Sequence, residues 1–401
     1  MLRRIPDPNI WVIYAAILLL GVAYGTSVAV LSIHLDAHGI PKLAMGGLAA
    51  AFAMGIVTFS LPAGWLIQRS GAKRTLLGAL IGYAVCVTSF PFLTTMTALA
   101  VARFFDGAFS VMVWVGAETA LLSRADRSSK GFVMSLYAIS LAIGYVVGPL
   151  VARGVVMMSG TSAAFVVSGI LACVAALVVL TKLDGTPHCG ERDSDAPESA
   201  APTKALAVFW RTKVPCLATF SYGYFQASVV LFLPLYLIKE KNIPEERTIL
   251  VTAFFALGML VMSSWVARLG DRYGHLLVMR ALAAIGGVMV ASFVALSSFP
   301  LMCVAVFVAG ATLASISPVS LALQGLVIQR KDLERANAFY NAAYAAGMLV
   351  GPPISSLLFT HSGGATMLFH LAALWAGFVS FTVAFSNDGP EASPDDRAMV
   401  R

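Results

Sequence analysis

The sequence predicts an all-α membrane protein with twelve transmembrane helices in two pseudo-symmetric six-helix bundles. Of the 401 residues, 59% are apolar and 12% are charged. A soluble domain is about 45–50% apolar even when glycine is counted, and about 25% charged. Twelve apolar runs follow one another, and each is long enough to cross about 30 Å of hydrocarbon. Short motifs also recur at equivalent places in the two halves, which indicates an internal duplication.

Six apolar runs separated by short polar turns make up the first half of the chain. The runs are continuous and do not alternate, so they predict helices rather than the strands of a β-barrel. The first run is longer than the apolar region of a signal peptide and no A-x-A site follows it, so we expect it to stay as a span. The predicted spans are 10–33, 44–67, 75–95, 97–122, 131–157 and 162–182.

A polar stretch rich in charge and proline separates the two halves, and its composition cannot bury a core. We therefore predict a first bundle over 1–182, a flexible cytoplasmic linker over 183–210, a second bundle over 211–386 and a cytoplasmic tail over 387–401. The spans of the second bundle are 211–238, 249–269, 276–298, 300–328, 336–360 and 364–386.

The basic residues predict the orientation of the chain. With both termini cytoplasmic, 21 of the 27 Lys and Arg residues lie on the cytoplasmic side, four lie on the opposite side and two lie inside spans. This asymmetry follows the positive-inside rule and predicts a multi-pass protein of the inner membrane. It also explains the net charge of +7, so no nucleic-acid partner is expected.

Other function classes receive no support from the sequence. The five cysteines lie in separate segments without C-x-x-C spacing, which predicts neither a metal site nor a disulfide framework. No G-x-x-x-x-G-K-[ST] loop is present, so ATP is not expected to drive the protein directly. Nothing in the sequence suggests catalysis, and we do not expect an enzyme.

Two motifs carry the internal repeat. The segment GWLIQRSGAKR at 64–74 follows the second span, and the segment ARLGDRYGH at 267–275 follows the eighth. Within the fifth span lies G-x-x-x-G-P at 144–149, and within the eleventh lies G-x-x-x-G-P-P at 347–353. Each motif thus occupies the same place in both halves.

These motifs resemble two signatures of the major facilitator superfamily, G-x-L-a-D-R-x-G-R-K-R and G-x-x-x-G-P. The resemblance covers essentially the whole chain. The segment RFFDG at 103–107 also resembles the R-x-x-x-G motif of drug-efflux branches, and the segments at 114–121 and 271–280 resemble the YcaD-like branch. The resemblance implies the twelve-helix transporter fold of that family, with a loop motif that latches conformations.

The motif residues have a physical reading besides the resemblance. Gly71 and Gly274 supply the freedom that a tight turn needs, while basic residues anchor that turn at the cytoplasmic face, although positive-inside charge alone would give the same pattern. Glycines of the fifth span permit close helix approach, either for gating or for packing. The predicted gating residues are Gly64, Arg69, Gly71, Lys73, Arg74, Asp271, Arg272, Gly274, Gly144, Gly148 and Pro149.

The chain departs from the family pattern at two places. Gln68 stands where the family usually has Asp, so the ion pair between this loop and a neighbouring helix is expected to be weak or absent in the first half, while Asp271 keeps it in the second. Ala152 and Arg153 stand where the antiporter version of the motif ends in two glycines, which weakens the inference of antiport.

Four ionisable residues lie inside predicted spans, where each costs about 2.5–3.5 kcal/mol and needs a partner, water or a function. Arg103 and Asp106 share one face of the fourth span and form either a structural ion pair or a substrate and proton site. Glu118 lies about 22 Å further along the helix and either pairs with the basic loop after the second span or takes part in proton coupling. Arg153 either snorkels to the outer interface or joins Arg103 in favouring an anionic or zwitterionic substrate.

The second half offers polar and aromatic residues at helical spacing instead of buried charge. Aromatic residues at such spacing are usually core, but the amides are not expected to face lipid. We therefore predict a cavity wall as the alternative to a packed core. The residues are Tyr222, Tyr224, Gln226, Gln324, Asn337, Tyr340, Asn341 and Tyr344.

Together these features predict a secondary active transporter that works by alternating access, with proton-coupled efflux of a small organic molecule or drug as the preferred function. The first alternative is proton-coupled uptake of an organic anion or amphoteric nutrient. The second is a membrane sensor or assembly partner that does not transport, for which an added soluble domain is expected. The proton is the expected coupling ion, no other cofactor is expected, and the lipid bilayer and a small-molecule substrate are the expected partners of a monomer.

Overall fold

The computed structural model describes residues 7–125, 130–184, 205–328 and 332–385, and nearly all of them are helical. In chain order the helices are α1 Pro8–Ala37, α2 Lys42–Ser70, α3 Ala72–Ser89, α4 Met96–Leu122, α5 Lys130–Lys182, α6 Ala205–Arg211, α7 Lys213–Lys239, α8 Glu245–Tyr273, α9 His275–Ser292, α10 Phe299–Leu313, α11 Ile316–Val327, α12 Leu333–Ser362 and α13 Gly364–Ala384.

The helices account for all twelve predicted spans. Among the described residues, ten helical segments are long and apolar enough to cross a membrane. One of them is α5, which contains two predicted spans as helical segments 130–159 and 161–182 on either side of Gly160. The span predicted over 249–269 corresponds to α8. The predicted all-α fold is confirmed.

Single glycines connect four pairs of successive helices. Gly71 joins α2 to α3 with φ 84° and ψ 154°, and Gly274 joins α8 to α9 with φ 93° and ψ 132°. Only glycine adopts this backbone region without strain. The same conformation recurs at Gly160 inside α5 and at Gly363 between α12 and α13.

The chain forms two compact units, of which unit 1 comprises residues 1–194, 230–256 and 352–357. Within unit 1, α1 packs along α5, α2 packs along α4, and α3 contacts both α4 and α5. The α1–α5 contact is close because it is built from glycine: a Cβ atom on Gly144 would lie 2.5 Å from the backbone of Gly21, and one on Gly148 would lie 2.6 Å from Gly25. The close helix approach predicted from the G-x-x-x-G-P motif is present.

Unit 2 comprises residues 195–229, 257–351 and 358–401. Within it, α9 contacts α10, α11 and α13. A Cβ atom on Gly347 of α12 would lie 2.2 Å from the carbonyl oxygen of Phe220 in α7, and one on Gly351 would lie 2.6 Å from that of Tyr224. The eleventh-span motif thus packs on α7 as the fifth-span motif packs on α1.

The predicted bundle boundaries remain a prediction. Most of the predicted linker and the predicted tail fall at 185–204 and 386–401, outside the described residues. The remaining part of the linker is not extended, because it contains the short helix α6. Val208 of α6 is fully buried against Ile328 and Ala336 in unit 2.

Candidate functional site

The two charged residues of the fourth predicted span form an ion pair on α4. Nη1 of Arg103 donates to Oδ2 of Asp106, and the two side chains are 12% and 11% exposed. The Arg103 guanidinium also lies 4.5 Å from the ring centroid of Phe52 on α2. A carboxylate and a guanidinium are therefore held together inside a membrane-spanning helix.

This pair leaves part of each group unsatisfied. Oδ1 of Asp106 and Nε of Arg103 are buried and have no hydrogen-bond partner within the described part of the chain. Buried polar atoms are almost always hydrogen-bonded in proteins, so such exceptions mark places with a further role.

An aromatic cluster on the neighbouring helices surrounds the pair. The ring of Tyr24 on α1 stacks on Tyr83 of α3 at 5.6 Å between centroids. It also lies 5.9 Å from Tyr145 of α5, 6.2 Å from Trp114 of α4 and 6.4 Å from Phe52 of α2. Four helices of unit 1 besides α1 thus contribute to one cluster.

A cavity of about 10 Å³ lies beside the ion pair, which is about the space that one water molecule needs. Its polar lining comes from α1, α3 and α4. These polar lining residues include Tyr24, Ser27, Tyr83, Arg103 and Asp106. A larger ligand therefore requires the surrounding side chains to move apart.

The other two ionisable residues of the predicted spans lie elsewhere. Arg153 is half-buried, does not line this cavity, and its Nε atom is buried without a hydrogen-bond partner among the residues described. Glu118 is also half-buried, and no ion pair within the described ranges links it to Arg69 or Arg74. The structure does not support the structural pairing offered for Glu118.

Tyr344 of unit 2 connects two helices of the predicted cavity wall. Its hydroxyl donates to Oε1 of Gln226 at 2.8 Å, and its ring stacks on Tyr222 at 6.2 Å between centroids. Gln226 and Tyr222 lie on α7, whereas Tyr344 lies on α12. Tyr344 therefore contacts two other residues of the predicted set.

The remaining residues of that set bond elsewhere. Nε2 of Gln324 donates to Oδ1 of Asn337 at 2.6 Å, and Tyr340 donates to the carbonyl oxygen of Ser317 at 3.0 Å. The Tyr224 hydroxyl lies 2.7 Å from Nε2 of His370. Asn341 is exposed. Most of these side chains have partners inside unit 2, so the packed-core alternative explains them as well as a cavity wall does.

A basic side chain in or near each loop motif binds the end of the last span in the same half of the chain. Nζ of Lys73 donates to the carbonyl oxygens of Leu180 and Leu183 at the end of α5. In the second half, Arg280 of α9, which lies beyond the loop motif, donates through its guanidinium to the carbonyl oxygen of Thr382 at the end of α13. A basic side chain thus caps the last turn of the sixth and of the twelfth span.

The acidic residue of the second loop motif contacts the first residue of the next helix. Oδ1 of Asp271 lies 3.3 Å from Nε2 of His275, the first residue of α9, and the Asp271 side chain is 74% exposed. Arg69 and Arg272 lie over the rings of Trp65 and Tyr273. Asp271 thus contacts the neighbouring helix through a histidine, and the contact is an ion pair only when His275 is protonated.

Comparison with known proteins identifies the family. The family model described as Major Facilitator Superfamily matches residues 13–250 and 216–399. The chain belongs to the major facilitator superfamily. It is a membrane transporter of that superfamily, and the predicted resemblance is confirmed at this level.

Individual members of the superfamily are distant. The chain is 22% identical over 357 residues to the uncharacterized MFS-type transporter YcaD of Escherichia fergusonii, covering 88% of this chain and 89% of that protein. The nucleoside transporter NupG shares the fold with a TM-score of 0.76 at 14% identity, covering 94% of this chain and 99% of NupG. A bacterial homolog of the human lysosomal transporter Spinster also has a TM-score of 0.76, at 11% identity, covering 96% and 98%.

Proposed function

We propose that this protein is a proton-coupled secondary active transporter that exports a small organic molecule by alternating access. The observation that carries the proposal is the buried Arg103–Asp106 pair, because ionisable groups at membrane depth mark substrate and proton pathways. Membership of the major facilitator superfamily supports transport, and the shared fold of the nucleoside transporter NupG fits a small organic solute.

Proton exchange at Asp106 gives the pair two states. With Asp106 ionised, the carboxylate neutralises Arg103 and the charges of the pair are balanced. When Asp106 takes up a proton, it no longer neutralises the guanidinium, which then needs water or a substrate group as its partner. A proton and a substrate that act on the same pair in this way are coupled without any covalent chemistry.

Replacement of the carboxylate tests the coupling. In proteoliposomes, Asp106→Asn is expected to abolish flux driven by a pH gradient while leaving ligand binding detectable, because asparagine keeps the shape but cannot exchange a proton. Glu246→Gln is the matched control, since Glu246 is exposed at the start of α8. Unchanged pH-driven flux in Asp106→Asn would contradict the proposal.

Uptake of an organic anion or amphoteric nutrient is the second candidate. It is supported by Arg153, whose buried Nε atom has no hydrogen-bond partner in the described part of the chain and is free to receive an anionic group. The direction is tested by deletion of the protein in its host. Export predicts greater cellular retention of the substrate after deletion, whereas uptake predicts less.

A further inference from the structure

Five of the buried polar atoms that lack a hydrogen-bond partner among the described residues of unit 1 gather around one stripe of α4. Asp106, Ser110 and Trp114 follow at spacings of four residues and so lie along one side of the helix. Ser110 is 2% exposed, and Tyr24 of α1, which lies against this stripe, is 8% exposed. At this stripe, the five atoms without a hydrogen-bond partner among the described residues are Asp106 Oδ1, Arg103 Nε, Ser110 Oγ, Trp114 Nε1 and Tyr24 Oη.

These atoms are close together in space as well as in sequence. The Ser110 hydroxyl lies beside both the Asp106 carboxylate and the Tyr24 hydroxyl, although it makes a well-formed hydrogen bond to neither. The Tyr24 and Trp114 rings are neighbours at 6.2 Å between centroids. The stripe therefore combines charge, hydroxyl groups and aromatic surface in one place.

Within the described residues, none of the five atoms has a hydrogen bond of ordinary geometry. A water molecule makes about two to four hydrogen bonds, and the cavity of about 10 Å³ holds about one. Five orphaned atoms are more than one water can serve. Leaving buried polar groups unpaired lowers stability, so their persistence points to a ligand that supplies the missing partners.

We propose that Arg103, Asp106, Ser110, Trp114 and Tyr24 form a binding site for a planar aromatic molecule that carries both an amine and an acidic or carbonyl oxygen. This inference rests on the transport function proposed above and names the substrate class. The amine donates to Oδ1 of Asp106, and the oxygen accepts from Nε of Arg103. The Ser110 and Tyr24 hydroxyls and the Trp114 N–H serve the remaining polar groups.

The pair selects an amphoteric ligand because its own charges are balanced. A purely cationic ligand meets Asp106 but is repelled by Arg103, and a purely anionic ligand meets the reverse problem. A ligand with both groups matches the buried acceptor, Asp106 Oδ1, and the buried donor, Arg103 Nε, that lack partners among the described residues. The aromatic part of the ligand packs on the Tyr24 and Trp114 rings, where ring pairs are favourable.

A matched series of small probes tests this class on the purified full-length protein. The probes are phenylalanine, phenethylamine, 3-phenylpropanoate and cyclohexylalanine, which in turn carry both charges, the amine alone, the acid alone, and both charges without an aromatic ring. Thermal stabilisation against probe concentration gives each Kd by mass action. Phenylalanine is expected to bind at least about tenfold more tightly than either singly charged analogue, since each analogue loses a hydrogen bond to a charged group.

Conservative variants separate binding from folding. Tyr24→Phe and Ser110→Ala each remove one orphaned hydroxyl, so the ligand-free protein is expected to be at least as stable as the native chain. The stabilisation by phenylalanine is expected to fall several-fold in both. Tyr14→Phe is the control on α1, because the Tyr14 hydroxyl already donates to the Val133 carbonyl oxygen at 2.8 Å. It is expected to lower stability and leave phenylalanine binding unchanged.

Two results overturn the site: equal binding of phenylalanine and its singly charged analogues, or no thermal shift with phenylalanine at millimolar concentration. Failure of the proposed function is a separate result, because these measurements need no proton gradient. Selective phenylalanine binding without pH-driven flux keeps the site and rejects proton-coupled transport. Flux without discrimination among the probes rejects the site alone.

Discussion

Asp7 caps the first helix and ties it to two other helix ends. Its Oδ1 atom accepts from the backbone N–H and the side-chain amide of Asn9 at 2.8 and 2.9 Å, and its Oδ2 atom lies 3.5 Å from Arg124. The side-chain oxygen of Asn9 accepts from the backbone N–H of Asp184 at 2.8 Å. Burial acts to raise the pKa of Asp7, but the hydrogen bonds from Asn9 and the charge of Arg124 outweigh it and hold that pKa below its ordinary value.

Removal of the Asp7 cap is expected to lower the stability of the protein by a measurable amount. Asp7→Ala is expected to reduce the free energy of unfolding by about 1 kcal/mol at neutral pH, because the cap bond and the charge contact are lost. A depressed pKa stabilises the fold above the ordinary value of 3.8, and this contribution is lost as the pH falls through the lower folded-state pKa. Thermal unfolding in detergent at several pH values checks this. Asp7→Asn keeps the cap and serves as control; a difference between Asp7→Ala and native protein that is independent of pH would contradict the assignment.

At the level of single residues, only part of the candidate site could be predicted from the sequence. Arg103 and Asp106 stand out because charge inside a span is rare and costly, whereas Tyr24, Ser110 and Trp114 are ordinary in membrane helices. Their importance depends on which atoms lack partners after packing. The four-residue spacing from Asp106 through Ser110 to Trp114 is a sequence signal that could have indicated Ser110 and Trp114.

Glycine residues allow α1 and α5 to pack in close backbone contact. Gly144→Ala is expected to destabilise the protein by about 1–3 kcal/mol and to impair transport, because its methyl group would lie 2.5 Å from the Gly21 backbone. Gly154→Ala on the same helix is the matched control, since no atom lies within 4 Å of its added Cβ. Thermal unfolding of both variants measures the difference; equal stability would show that the close approach does not determine packing.

Helix existence was predictable from apolar runs, but two breaks and one short helix were not. The predicted span over 300–328 divides into α10 and α11 because Pro318 lacks the N–H that would bond to the carbonyl of Ala314. The loop predicted between the spans 131–157 and 162–182 is a single non-helical residue, Gly160. Helix α6 is too short to show as a span, and only its contact with Ile328 and Ala336 reveals its packing.

An ion pair joins the first helices of the two predicted halves of the molecule. Lys239 at the end of α7 donates to Oδ1 of Asp36 near the end of α1, and both residues belong to unit 1. Lys42 at the start of α2 lies near both charges. Under the proposed alternating access, we expect this contact to exist in one access state and not in the other, and so to bias the balance between them.

Because the pair is partly exposed, its influence should be modest and salt-dependent. Lys239→Gln is expected to change the transport rate by less than about fivefold, since an exposed ion pair contributes up to about 1 kcal/mol. The exchange Asp36→Lys with Lys239→Asp is expected to restore the native rate, and high salt is expected to reduce the effect of Lys239→Gln. Lys241→Gln is the neighbouring control. If the exchanged pair does not restore the rate, the hypothesis that this contact biases the access states is wrong.

The four single-glycine turns restrict how a membrane helix of this protein can slide. A connection of one residue has no slack, so neither α2 and α3 nor α8 and α9 can move along the membrane normal relative to each other by a helical turn of about 5.4 Å. The same restriction applies at Gly160 and Gly363. Each of these helix pairs therefore forms a hairpin with no slack. If one helix of a pair moves along the membrane normal, its partner has to move with it.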